Sequence, residues 1–343
     1  MRAASVQLTR RLITGLMMIR LCAVMLAFIF ATGNAGAQTA NSAADWPVRP
    51  IKLVVPFPAG SSTDVIGRIL AQSLAARLGQ PVVIENRAGG SGMLGSEMVA
   101  HAKPDGYTFG IATTSTHALA PSLSVKLAYD PLGDFAPVSM IGDSPYVMVT
   151  SPQLGTASVQ AFVALAKAKP GKLTFGSAGP GSLAHLAGVL FANMAGIEIV
   201  HVPYKSSGQS ATDLMSGRLD MQFATIPPTL PLIQSGQLQA LGTTGEKRPS
   251  VLAGLPTIAE SGYAGYDAVL WMALVAPAAT PQPIVAKLSG AVRQSLEDPE
   301  IKAALIIQGF EAAPGTPEAL RARITADIKK WRAVVSKAGI QPE

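Results

Sequence analysis

One cysteine, Cys22, is all that the 343 residues contain, and only 14% of them are charged and 6% aromatic. That thiol lies in the first apolar run, so a chain processed beyond it has no disulfide, no thiolate nucleophile and no Cys-ligated metal. Histidine is nearly as sparse. His101, His117, His185 and His201 are scattered, with none at i, i+4 from another, so no metal site is expected. No serine has glycine at both i−2 and i+2, which removes the nucleophile elbow and leaves no catalytic set.

What is present begins with Arg2, Arg10 and Arg11 ahead of "LITGLMMIRLCAVMLAFIFA", then "AGAQ" at 35–38. A basic start, an apolar run and a small-x-small site read as a secretory signal, residues 1–37, cleaved after Ala37. Arg20 splits the run, leaving less than the roughly 20 apolar residues a membrane span needs. Losing four arginines and no acid takes the net charge from +6 to +2. The basic character therefore belongs mostly to the leader, and nothing argues for nucleic acid. The chain is therefore expected to be exported.

Beyond it, "IKLVVPF" (51–57) is a proline-bounded apolar run followed by "TDVIGRILAQSLAARLGQP", with apolar residues at helical spacing up to Gly79. "PVVIEN", a helix near 92–102 and "YTFGIA" continue the alternation. A second series starts past 150: helix 158–168, strand "KLTFGSA", helix 182–195, strand "IEIVHVP", helix 207–216, strand "LDMQFA". The two series match weakly at an offset of 120, with Lys52 against Lys172, Leu53 against Leu173, Ser62 against Ser182 and Leu70 against Leu190. Strands separated by helices imply two α/β lobes, each a mainly parallel sheet flanked by helices. An extended "YDAVLWMALVAP" and a long helix at 317–337 are expected to return to the first lobe, since so short a tail buries little core alone.

Gly90, Gly92 and Gly95 in "GGSGMLG" have the G-x-G-x-x-G spacing of a dinucleotide turn. Such a turn sits directly between a strand and its helix, with an acid about 20 residues on. Here "ENRAG" intervenes, and "IATTSTHALA" after Gly110 holds no acid. The glycines read as a tight turn into a helix, and no cofactor is expected.

Better binding loops are "PFPAGSSTD" (56–64) and "GSAGPGSLAH" (176–185), one per lobe. Each ends a strand and opens a helix at Ser or Thr, offering free backbone N–H groups at the positive end of the helix dipole. Ser61, Ser62, Thr63, Ser177 and Ser182 add hydroxyls, although Ser62, Thr63 and Ser182 also suit plain capping roles. Asp64 reads either as a helix-start acid or as an acceptor for a ligand hydroxyl or ammonium. Tyr204 and Lys205 end a further strand, and His185 reads as a packed or pocket-lining residue. Thr114 and Ser115, after the third strand, join the expected lining.

Several ordered segments resemble one family. "WPVRPIKLVVPFPAGSSTDVIGRILAQSL", "VVIENRAGGSGMLGSEMVAHAKPDGYTFGI", "GSAGPGSLAHLAG", "VPYKSSGQSATDLMSGRLDMQF" and "GLPTIAESGY" followed by "APAATP" are similar to the Bug family, the periplasmic receptors of tripartite tricarboxylate transporters. The resemblance runs from about Trp46 to the C terminus. It implies a type II-like periplasmic binding fold with lobe 1 at 46–146, lobe 2 at 147–270, two crossing strands, and 271–343 returning to lobe 1. It also implies water-bridged carboxylate contacts from Phe57, Pro58, Ala59, Gly60, Ser61, Ser62 and Thr63. Lobe 2 is expected to contribute Ser177, Ala178, Gly179, Gly181 and Ser182, with Ala224 and Thr225 lining the cleft. Ala224 stands where the family often has Asp, which disfavours an amino-acid ligand and suits a plain mono- or dicarboxylate.

The expected function is thus a monomeric, non-enzymatic receptor that passes a carboxylate to an inner-membrane permease. An exported hydrolase with an unrecognised serine, or a ligand-sensing input for a membrane kinase, are the alternatives. Turnover separates the first from a receptor, and a pull-down the second.

Overall fold

The structure is a computed structural model describing residues 45–204 and 207–342, so the expected leader, its cleavage site and Lys205 lie outside the described residues. β1 (Ile51–Val55), α1 (Ser62–Leu78), β2 (Val82–Asn86), α2 (Met93–Ala100) and β3 (Thr108–Thr113) follow the apolar periodicity. β1 pairs in parallel with β2 and β3. α1 starts at the N-cap Ser61, buries Ile66, Leu70 and Leu74, and stops at Gly79, whose φ of 70° closes it before Pro81. A π-helical stretch, Thr114–Leu119, then runs into the short α3 (Ala120–Leu123).

β4 (Phe135–Thr150) is the longest strand, and nothing in the periodicity announces it. Pro137, Gly142 and Pro145 interrupt its pattern, and the register shifts between Pro137 and Ser139 and between Met140 and Gly142 to absorb them. After α4 (Val159–Ala168) come β5 (Thr174–Ser177), α5 (Leu183–Ala195), β6 (Val200–Pro203), α6 (Ser207–Met215), β7 (Met221–Thr225), α7 (Ile226–Gln234) and β8 (Gln239–Thr243). β5 is parallel to both β6 and β7. β9 (Val269–Pro277), α8 (Gln282–Glu297), α9 (Pro299–Ile307), β10 (Glu311–Ala312) and α10 (Pro317–Lys337) complete the chain.

The strand order is β2-β1-β3-β9-β4-β7-β5-β6, with β8 and β10 also on β4. β4 serves both lobes: Phe135–Pro145 pair with β9, while Tyr146–Thr150 pair with β7 and Val147–Thr150 with β8, all antiparallel. The result is a two-lobed α/β fold. Parallel strands form the outer part of each lobe, and the antiparallel pairs lie where β4 and β9 join them. Phe191 at the centre of the second lobe meets Phe223 and Tyr266 edge-on at 6.1 and 6.2 Å.

α8 packs on α1, and α10 packs on the Thr114–Leu119 stretch and on β4. A group of buried charges fixes α10 to the chain entering β9. Asp327, 3% exposed, accepts from Trp271 Nε1 at 2.7 Å and Arg323 Nε at 3.0 Å. Arg323 Nη2 also reaches Asp267 at 2.8 Å, and Lys330 Nζ bridges Asp327 and Asp267 at 2.9 and 3.3 Å.

Candidate functional site

β1 and β3 run parallel in one lobe, as do β5, β6 and β7 in the other, and a helical segment begins just past each of these ends. α1 and α5 therefore open at their strands' C-terminal edges, where backbone N–H groups lack partners within the helix. In open α/β sheets this edge is where ligands sit.

The lobe 1 loop is Pro56–Ser61. Pro58, Ala59, Gly60 and Ser62 are exposed, Phe57 and Ser61 half-buried, Thr63 buried. Ser61 caps α1 by accepting from the Asp64 N–H at 3.3 Å. Asp64 is 2% exposed, and its carboxylate is already engaged. It accepts from the Gly60 N–H at 2.9 Å, Arg68 Nε at 3.0 Å and Asn86 Nδ2 at 2.9 Å. Burial alone would raise its pKa, but Arg68, Gly60 and Asn86 outweigh burial and lower it to about 2. Asp64 thus holds the loop from inside.

Thr114 is fully buried, and its hydroxyl donates to Val269 O at 3.0 Å and accepts from the Trp271 N–H at 2.9 Å. It ties β3 to β9. Ser115 beside it is half-buried.

The lobe 2 loop, Ser177–Ser182, is organised internally. Ser177 Oγ, fully buried, lies 3.0 Å from Gly179 O and accepts from the Gly179 N–H at 3.1 Å. Ser182 caps α5, accepting from the His185 N–H at 3.3 Å while donating to Gly179 O at 2.7 Å. Ala178 is exposed, and Gly179 and Gly181 are half-buried. Leu123 of lobe 1 meets this loop: a Cβ on Gly181 would lie 3.3 Å from its Cδ1.

Behind the loop lie two histidines. The Gly181 N–H donates to His185 Nδ1 at 3.2 Å, and His201 Nε2 lies 2.7 Å from Ser177 Oγ. Burial, then the neighbouring His185, lowers His201 to about 4, and burial lowers His185 too. The sequence points to His185 but not to His201, whose place here depends on the pairing of β5 with β6. The Ser177 hydroxyl is buried between Gly179 and His201, and which partner takes its proton depends on the imidazole tautomer.

Tyr204 joins the same edge, its N–H donating to Ser177 O at 3.0 Å and its hydroxyl to Asp213 at 3.0 Å. Ala224 is buried, and Thr225 begins α7 without using its side chain as a cap. Asn86 and Arg68, which engage the lobe 1 loop, are absent from the set read in the sequence. Among the described residues no cluster of three or more His, Cys, Asp or Glu is placed to hold a metal, and no helix is long and apolar enough to cross a membrane.

A sequence profile of the family described as "Tripartite tricarboxylate transporter family receptor" matches residues 66–340. Protein BugT of Bordetella pertussis is 38% identical over 323 residues, covering 94% of this chain and 98% of that protein. The structure of R. palustris Rpa4515 with adipate aligns with a TM-score of 0.72 at 37% identity, covering 87% of this chain and 100% of that one. MatC (Rpa3494) from Rhodopseudomonas palustris with bound malate aligns at 0.67 and 31% identity, covering 84% and 100%.

Proposed function

The chain belongs to the tripartite tricarboxylate transporter receptor family, and from that premise we propose that it is an exported receptor for a small carboxylate. Its lobes, 46–146 with the returning 271–343, and 147–270, close on the anion and present it to an inner-membrane permease. The leader is removed after Ala37, and the receptor acts as a periplasmic monomer.

One observation carries this reading. The sheet edge of each lobe ends in a helix start, Ser61 for α1 and Ser182 for α5, with small exposed residues in front of it. Two such termini attract a carboxylate through backbone N–H groups, without a committed cation. The side chains beneath are already satisfied by one another, which suits holding a ligand better than transforming it. Adipate and malate, the ligands of two related structures, are the first compounds to try.

The test is a thermal-shift screen of Gln38–Glu343 against mono-, di- and tricarboxylates, amino acids and NAD. A ligand at about 100 times its Kd adds roughly 2.7 kcal/mol, a shift of a few degrees for a protein of this size. A shift confined to a few carboxylates, each recovered unchanged after incubation, is the expected outcome. No carboxylate response after unfolding and refolding to strip bound ligand would overturn the reading, as would conversion of the compound that binds.

A further inference from the structure

The segment with the nucleotide-like glycine spacing has no part in the reading above, yet it adjoins the lobe 1 loop. Asn86 ends β2 just before it. Its Nδ2 donates to Asp64 Oδ1 at 2.9 Å and to Phe57 O at 3.1 Å, and its Oδ1 accepts from Arg68 Nη2 at 3.3 Å. Arg68 Nε donates in turn to Asp64 Oδ2 at 3.0 Å, and that same oxygen accepts from the Gly60 N–H at 2.9 Å. Each of the three side chains is bonded to the other two. The closed ring grips the loop at both ends, Phe57 through its carbonyl and Gly60 through its N–H.

The residue types suit this arrangement. A carboxylate only accepts and a guanidinium only donates, so the third member must do both, as a side-chain amide does. Arg68 also cancels the charge of Asp64, which would otherwise repel an anion arriving at the adjacent helix start.

The glycines bring the segment close enough. A Cβ on Gly92, at φ 93°, would lie 2.7 Å from Thr116 Cγ2 and 3.2 Å from Phe57 Cζ. On Gly95 it would lie 2.7 Å from Pro56 Cα. The Arg87 N–H donates to Val55 O at 2.8 Å, continuing the β1–β2 pairing up to the loop.

We propose that Asn86, with Arg68 and Asp64, is the positioning device of the lobe 1 binding loop, holding Phe57–Gly60 in its ligand-ready shape before the anion arrives. This inference rests on the receptor reading above. The three act through the loop backbone and need not touch the ligand. Their contribution is preorganisation, which raises affinity by removing the cost of ordering the loop on binding.

The test uses Gln38–Glu343 carrying Asn86→Ala or Asn86→Asp, with adipate and malate as probes in calorimetric titrations. Asn86→Ala is expected to weaken binding at least tenfold while the ligand-free melting temperature changes little. Asn86→Asp keeps the shape but sets a second carboxylate against Asp64, and two adjacent carboxylates ionise together only with difficulty. Its affinity relative to the wild type should therefore fall severalfold as pH rises from 5.5 to 8, a dependence that a purely structural defect would not produce.

A ligand-free readout accompanies these. In the wild type the Gly60 amide proton should be exchange-protected with a chemical shift constant over that range, and in Asn86→Asp that shift should titrate. Unaltered affinity together with an unaltered Gly60 amide in both variants would overturn the proposal. Should neither probe, nor any carboxylate of the screen, bind the wild type, the receptor reading fails. The Gly60 amide still decides whether the ring holds the loop.

Discussion

The imidazoles of His185 and His201 stack with centroids 3.8 Å apart and planes 18° from parallel. Two cations at that separation would repel strongly, so the pair is stable as neutral rings and titrates as a unit. His185 must be neutral for another reason: its Nδ1 accepts from the Gly181 N–H, and a protonated ring has no lone pair there.

His185→Ala should accordingly leave the Gly181 N–H without its acceptor, at a cost of about 1 kcal/mol, and speed its hydrogen exchange. His185→Asn, which offers an amide oxygen at a similar reach, should restore protection. Both folded-state values lie below the ordinary 6.5, His201 at about 4. Stability from the neutral pair is therefore complete above pH 6.5 and is lost as pH falls toward 4. The protection factor of the Gly181 amide, which corrects for the intrinsic slowing of exchange in acid, should fall between pH 7 and 4 in the wild type and stay flatter in His185→Asn.

His117 carries a second acid sensitivity, in the lobe 1 core. It is 1% exposed, packs edge-on to Phe135 at 4.6 Å, and its Nε2 has no hydrogen-bond partner among the described residues. Burial lowers its pKa from 6.5 to about 3. The unfolded chain takes up this proton first, so stability drops as pH falls below 6.5 and goes on dropping toward 3. By pH 4.5 the loss should be roughly 2–3 kcal/mol. His117→Phe should shrink the difference in melting temperature between pH 7 and 4.5. An equal difference in the variant would assign the sensitivity elsewhere.

Asp327 is the shared acceptor for Arg323, Lys330 and Trp271 Nε1. Asp327→Ala leaves the Trp271 indole N–H without its acceptor and Arg323 and Lys330 with Asp267 alone, a loss of about 1–3 kcal/mol. Asp327→Asn retains an acceptor and should cost less. Urea unfolding of the two variants separates these outcomes, and a loss below about 1 kcal/mol for the alanine variant would mean that solvent reaches the cluster freely.

Much of the architecture was legible because its signals are local. Ser61 and Gly79 bracket α1, and the stretch expected to be helical at 317–337 is α10, Pro317–Lys337, behind its cap Thr316. β4 was not legible, because prolines that argue against a strand are accommodated by register shifts visible only against β9. The two loops could be found as strand-to-helix junctions from their Ser and Thr caps. What lies beneath them could not. Asn86 meets Asp64 across 22 residues and His201 meets Ser177 across 24, through strand pairings that no short-range pattern encodes. Asp64 left two readings open in sequence, and only its three donors show its carboxylate turned inward.

Ser62 separates the loop's role in binding from its role in folding. It is exposed, the capping of α1 belongs to Ser61, and a carboxylate in the first helical turn favours the helix dipole by about 0.3–1 kcal/mol. Ser62→Asp should therefore melt at or slightly above the wild-type temperature. If the α1 start faces the bound anion, the same charge should weaken adipate or malate binding by tenfold or more at low salt. Added salt should narrow that gap as it screens the repulsion. Ser62→Asn, of equal size and no charge, should bind like the wild type. Equal affinities for the Asp and Asn variants would place the ligand away from this loop and leave α5 as the only helix start of the pair to hold it.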